Sequence, residues 1–399
     1  MKPRNVPVLC LSLGLGTVIS VAPLLGLYAA DLGIDIAGIG LILALGSLVA
    51  ALGQFPSGYM SDRFGRKRCI VAGGALNAIA LISYSVATDW HHLALAVVLS
   101  NVALTMTMPS RLALTSESVH ANALGSAYGI LDTVNYIAKA AGPAVAMFLA
   151  ARLGLKWVFV FAAFGAGLGA CIDAMLLRDG HTVDKHKPLL AHLKRHRVSL
   201  GTMKPIAPFA ATQALTALFS GFAGAFFYIH AVKNVGLPME LAGLLGAAYC
   251  GLMMFSRVPI GRLANGGSRN QMLLVVYGCI LGGIIWLTVG SGKSAWWLVA
   301  YPMLAFANVM PARNALVANL TDGRPRAQAY GLIGAFEGVA GAASYALAGW
   351  LAHVLGMRAL FMISGAGLIL AGIVIGLMMG GLARAGSSRT APSFASQCR

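Results

Sequence analysis

Residues 108–114, Met-Pro-Ser-Arg-Leu-Ala-Leu, return 202 positions later as Met310-Pro-Ala-Arg-Asn-Ala-Leu316. The same offset carries Ala127-Tyr128-Gly129 onto Ala329-Tyr330-Gly331 and Leu153-Gly154 onto Leu355-Gly356. Earlier in each copy the offset is 203, which aligns Gly33 with Gly236, Gly40 with Gly243, Pro56 with Pro259 and Gly58 with Gly261. A chain of 399 residues that repeats at half its length builds one unit twice. The units are apolar: 58% of residues are hydrophobic and 10% charged, against roughly 25% charged in soluble domains. About 20 apolar residues cross a bilayer as a helix, and a helix satisfies its own backbone where no water can. Twelve such stretches fall near 7–29, 39–61, 69–87, 93–115, 126–150, 157–177, 205–231, 240–262, 271–290, 295–318, 327–352 and 357–380. The expected fold is an all-α membrane protein of twelve transmembrane helices in two pseudo-symmetric six-helix halves. The halves span residues 1–177 and 205–380, joined by a linker over 178–204 and followed by a tail over 381–399.

The net charge of +17 follows topology and does not point to nucleic acid. Twenty Lys and Arg fall in the segments on the N-terminal side of the membrane, among them Arg63, Arg66, Lys67, Arg68, Lys194, Arg195 and Arg269. The opposite loops hold five: Arg152, Lys156, Lys233, Lys293 and Arg358. Because cations collect on the cytoplasmic side, both termini are expected there, in an inner (plasma) membrane. The basic surface then faces anionic inner-leaflet lipid. Leu189 to Val198 in the linker spaces apolar residues against a cationic face and reads as an amphipathic helix on that leaflet. His181, His186, His192 and His196 share the linker with no cysteine and read as part of a solvated basic stretch, so neither a metal site nor a cofactor is expected. The six cysteines are scattered with no metal-type spacing and read as packing thiols.

Between the second and third apolar stretches lies Gly58-Tyr-Met-Ser-Asp62-Arg63-Phe-Gly65-Arg66-Lys67-Arg68. This run resembles the cytoplasmic loop signature of the major facilitator superfamily, Gly-x-x-x-Asp-Arg-x-Gly-Arg-Lys, at every specified position. The resemblance implies a carrier that moves a small solute by alternating access, with its site near midplane between the halves. In that reading Gly58, Asp62, Arg63, Gly65, Arg66 and Lys67 form a gate. Asp62 would meet the positive end of the span 11 helix, and Arg66 would reach Glu117. The second copy, Gly261 to Arg269, has Asn265 in place of the Asp and fewer cations. Whole-chain architecture resembles the drug:proton antiporter branch, with departures. Span 1 has no acidic residue, no arginine stands near Asn101, and the span 5 Gly-Pro feature survives only as Gly142-Pro143.

Ionisable residues inside apolar spans are costly and so mark function or pairing. They are Arg111, Asp132, Lys139, Arg257, Arg313 and Glu337. Asp132, Asn135 and Lys139 share one helix face. Depth along antiparallel spans pairs Arg111 with Asp132, and Arg313 with Glu337 as its counterpart. Asp173, near the end of span 6, reads as interfacial. Four cations against two carboxylates leave positive charge that water or an anionic solute would have to offset. Asp132 and Glu337 are candidate proton acceptors, or else permanently ionised pair partners.

The sequence thus predicts proton-coupled export of a small organic solute, anionic or zwitterionic, by a monomeric carrier. Organic-anion uptake, multidrug export and a non-transporting receptor or assembly subunit on the same fold stay open as alternatives. No nucleophile–base constellation stands in any span, so an enzyme is not expected.

Overall fold

The computed structural model describes residues 5–19, 21–119, 124–178, 200–291, 294–320 and 326–387. The predicted linker helix and most of the tail lie outside these residues. Helices α1 (Asn5–Thr17), α2 (Ala22–Asp31), α3 (Ile36–Phe64), α4 (Arg66–Ser85), α5 (Trp90–Ser118), α6 (Leu124–Leu153) and α7 (Leu155–Leu176) form the first half. The second half holds α8 (Leu200–Gly224), the short α9 (Phe227–Ile229) with a π turn over His230–Asn234, α10 (Met239–Ala264), α11 (Ser268–Gly290), α12 (Ser294–Ala307), α13 (Met310–Leu320) and α14 (Arg326–Ser387). Asp35 and Asp89 start α3 and α5 by accepting the backbone N–H groups of Gly38 and His92 at 3.1 and 3.0 Å, the usual N-cap device.

Among the described residues nine helices are long and apolar enough to cross a membrane. One of them, over Ile333–Met378, is two helices joined at Gly356. The predicted first and tenth spans are present but broken, α1 from α2 and α12 from α13. Pro23 opens α2 and Pro311 opens α13, positions where a missing N–H costs nothing. Pro109, the repeat partner of Pro311, sits inside the unbroken α5. Equivalent residues therefore have different local outcomes in the two halves. Large apolar side chains such as Phe164, Phe255 and Leu377 are exposed on the bundle, as a lipid-facing surface requires.

The repeat is written in the backbone. The positive-φ glycines among the described residues fall into three pairs, Gly33 and Gly236, Gly65 and Gly267, Gly154 and Gly356. Each ends one helix or starts the next, at turns where an L side chain would be strained. Because Gly58 aligns with Gly261 at offset 203 and Gly65 with Gly267 at offset 202, the register changes inside the signature loop.

The halves close on each other at the end of the bundle away from that loop. Leu24, Leu27, Tyr28 and Ile39 of the first half share one buried core with Phe222, Phe226, Ile229 and Ala242 of the second. There α3 crosses α14 so closely that a Cβ on Gly40 would stand 2.5 Å from the Tyr345 carbonyl oxygen and 2.8 Å from the Gly349 Cα. The same two helices still touch at Ser47, whose Oγ donates to the Gly338 carbonyl at 3.4 Å. Lys233 pairs with Asp31 across the closed end.

A candidate solute site between the halves

Two of the four intramembrane cations are neutralised inside their own halves. Arg313 Nη1 meets Glu337 Oε1 at 2.5 Å, as depth along the spans predicts. Arg111 pairs with Asp173, a partner that depth along the spans does not predict. Its Nη2 lies 3.1 Å from Asp173 Oδ2, and its Nη1 donates to the Leu9 carbonyl at 3.3 Å. The Asp173 side chain is 0% exposed, buried within the bundle in the last turn of α7. The reason is packing. Helix α1 lies along α7 and brings Leu9 and Asp173 to the arginine. Nor are the two pairs counterparts, since Glu337 aligns at offset 202 with Asn135, a half-buried residue of α6.

Lys139 and Arg257 remain. They stand on α6 and α10, which pack together across the boundary between the halves. Pro143 on α6 meets Gly243 on α10 so closely that a Cβ on the glycine would lie 2.8 Å from the proline carbonyl. Tyr136 neighbours both cations, its ring centre 4.2 Å from the Arg257 guanidinium carbon and 5.7 Å from Lys139 Nζ. Neither cation has a carboxylate within ion-pair distance among the described residues, and Arg257 Nε is buried with no hydrogen-bond partner. A ring face offsets part of that charge, yet an unpaired buried donor is expensive. Tyr136 is readable in the sequence as the residue one turn before Lys139 on the Asp132–Asn135–Lys139 face. No rule of spacing says that a cation from the other half will stack on it. The side chain of Asp132 lies outside the described residues.

Beside this cluster, within the second half, a cavity of about 430 Å³ opens between α8, α10, α11, α12, α13 and α14. Gln213, Tyr249, Trp286, Asn308 and the Arg313–Glu337 pair line it. Asn308 stands in the break between α12 and α13 and donates to Met253 Sδ at 3.2 Å.

At the far end, Arg66 meets Glu117 through Nε and Nη2, each 3.0 Å from Oε1. Its Nη1 donates to Ser61 Oγ at 3.0 Å, and Ser110 donates to the same oxygen. The chain turns at Gly65, φ 95°. An arginine that binds α3 and α5 from the first turn of α4 makes the signature loop one rigid piece.

The sequence pattern of the Major Facilitator Superfamily matches residues 8–309. The chain belongs to the Major Facilitator Superfamily. Multidrug resistance protein 2 of Bacillus subtilis (strain 168) is 22% identical over 272 residues, 66% of this chain and 67% of that protein. The nucleoside transporter NupG, in a point-mutant form, superposes with a TM-score of 0.79 at 14% identity, covering 94% of this chain and 99% of that one. A D-xylose-proton symporter gives 0.73 at 14%, covering 93% and 97%. At such identities the likeness is one of fold. Membership makes this facilitator a multi-pass membrane transporter and not an enzyme. Its Arg66–Glu117 contact forms as expected, whereas the side chain of Asp62 and the start of the span 11 segment, 321–325, lie outside the described residues. Arg63 and Lys67 flank the turn, exposed and half-buried respectively.

Proposed function

We propose that this facilitator works by alternating access and exports a small organic anion or zwitterion in exchange for protons. The observation that carries the reading is the pair of cations, Lys139 and Arg257, facing one tyrosine where the halves meet. A solute carboxylate or phosphate there would offset charge that no carboxylate among the described residues neutralises. Contacts made to both halves at once would let binding drive closure. Glu337, held by Arg313 beside the cavity, is the proposed proton carrier, with Asp132 as a second acceptor. The Asp62–Arg66–Glu117 loop is the proposed gate at the signature end, and Asp31–Lys233 its counterpart opposite. The carrier is placed in the inner membrane as a monomer, both termini cytoplasmic and its basic surface on anionic lipid.

The name of the B. subtilis relative favours a second reading, multidrug export. Proteoliposomes carrying a pH gradient separate the two. Organic-anion flux that is lost in Lys139→Ala supports the proposal. Transport of lipophilic cations that is unaffected by the same change supports the multidrug reading.

A further inference from the structure

The cation pair and the second-half cavity share a wall. Tyr249 lines the cavity and stands on α10 about two turns before Arg257. Its ring centre is 5.7 Å from that of Tyr301, which stacks on Phe227 at 3.5 Å. Inside the cavity Trp286, Val275, Leu304 and Leu368 supply apolar surface. One polar group there is unmatched. Gln213 is 5% exposed and its Nε2 has no hydrogen-bond partner among the described residues. Among the described residues two buried donors thus lack hydrogen-bond partners, Arg257 Nε in the cation cluster and Gln213 Nε2 in the cavity. A cavity of about 430 Å³ falls within the range of small-molecule sites, roughly 300–1,000 Å³.

We infer that the cavity is the solute's body site, and that the solute class is an amphipathic aromatic anion. Resting on the anion reading above, the assignment places the anionic head on Lys139 and Arg257. A one- or two-ring body passes Tyr249 to stack against Trp286, and an oxygen on its far edge accepts from Gln213. An anion without an apolar body would leave the cavity unused, and a hydrocarbon would leave both donors unmatched.

The test is equilibrium binding to the full chain in detergent with four probes: 2-naphthoate, 6-hydroxy-2-naphthoate, acetate and a naphthylmethyl-trimethylammonium cation. Gly282 lines the cavity, and a Cβ there would make ordinary contacts of 3.6 and 3.8 Å with Ala307 and Leu368. Gly282→Ala should therefore be accommodated, and Gly282→Leu should fill the cavity. The expected result is saturable binding of both naphthoates, weakened about tenfold or more by Gly282→Leu, since filling an apolar pocket costs at least one methylene's worth of fit. Gln213→Leu, which creates no bulk, should weaken only the hydroxynaphthoate. Acetate should bind far more weakly than either naphthoate. Naphthoate binding that Arg257→Gln abolishes but Gly282→Leu and Gln213→Leu leave intact overturns the body site while sparing the anion reading. Preference for the cationic probe, or no saturable naphthoate binding at all, overturns both.

Discussion

Lys233, in the π turn that ends the broken seventh span, holds Asp31 at the end of α2 and so ties the second half to the first. The pair is exposed, and exposed pairs contribute ~0–1 kcal/mol. Most of the closure at this end therefore comes from the apolar core and the Gly40–Gly349 crossing beneath it. Replacing both residues by cysteine in a background without the native cysteines should allow a disulfide that stops flux, with recovery on reduction. Unimpeded transport by the oxidised protein would mean that this end does not open.

Arg111 and Asp173, 3.1 Å apart, are expected to act as a folding pin. Removing one partner of a buried pair costs about 3–5 kcal/mol, whereas exchanging both for apolar residues is often neutral. Asp173→Asn should thus lower thermal stability in detergent steeply, and Arg111→Met/Asp173→Leu should recover most of it. The double variant should still transport. A well-folded double variant without activity would make Arg111 part of the transport path.

Glu337 is expected to carry the proton. Glu337→Gln should abolish accumulation driven by a pH gradient while solute exchange across the membrane continues. Arg313→Ala should impair both, because it leaves Glu337 buried without its partner. If Glu337→Gln still concentrates solute against its gradient, coupling lies at Asp132 or elsewhere.

The signature loop is expected to act as a gate through Asp62 and through the Arg66–Glu117 contact at 3.0 Å. Asp62→Asn and Glu117→Gln should each reduce transport severalfold without loss of folded protein. Normal flux in well-expressed Asp62→Asn would leave the loop only its role in orienting the chain.

The fold is legible in the sequence because its causes are local. Apolar run length sets each span, the repeat sets the two halves, and the turn glycines sit where alignment puts them. The Arg66–Glu117 and Arg313–Glu337 pairs are legible too, since each joins residues whose depth along neighbouring spans can be counted. Counting depth does not find Asp173 because it compares only helices adjacent in sequence. Helix α1 intervenes with its Leu9 carbonyl, and α7 supplies Asp173. The stacking of Arg257 on Tyr136 is out of reach for a related reason: it depends on how the two halves dock. The breaks at Pro23 and Pro311 are unreadable because Pro109, which like Pro311 follows a methionine and precedes a small residue and an arginine, leaves its helix intact.

The central claim is that an anion is carried on Lys139 and Arg257 between the halves, and the sign of the charge at Lys139 tests it most directly. The measurement is initial flux of 2-naphthoate and of its trimethylammonium counterpart into proteoliposomes, for the unaltered protein and for Lys139→Glu. The account predicts saturable naphthoate flux in the unaltered protein and its loss in Lys139→Glu, with folding unchanged by thermal melt. Naphthoate flux that survives the reversal, or cation flux that dominates in the unaltered protein, would contradict it.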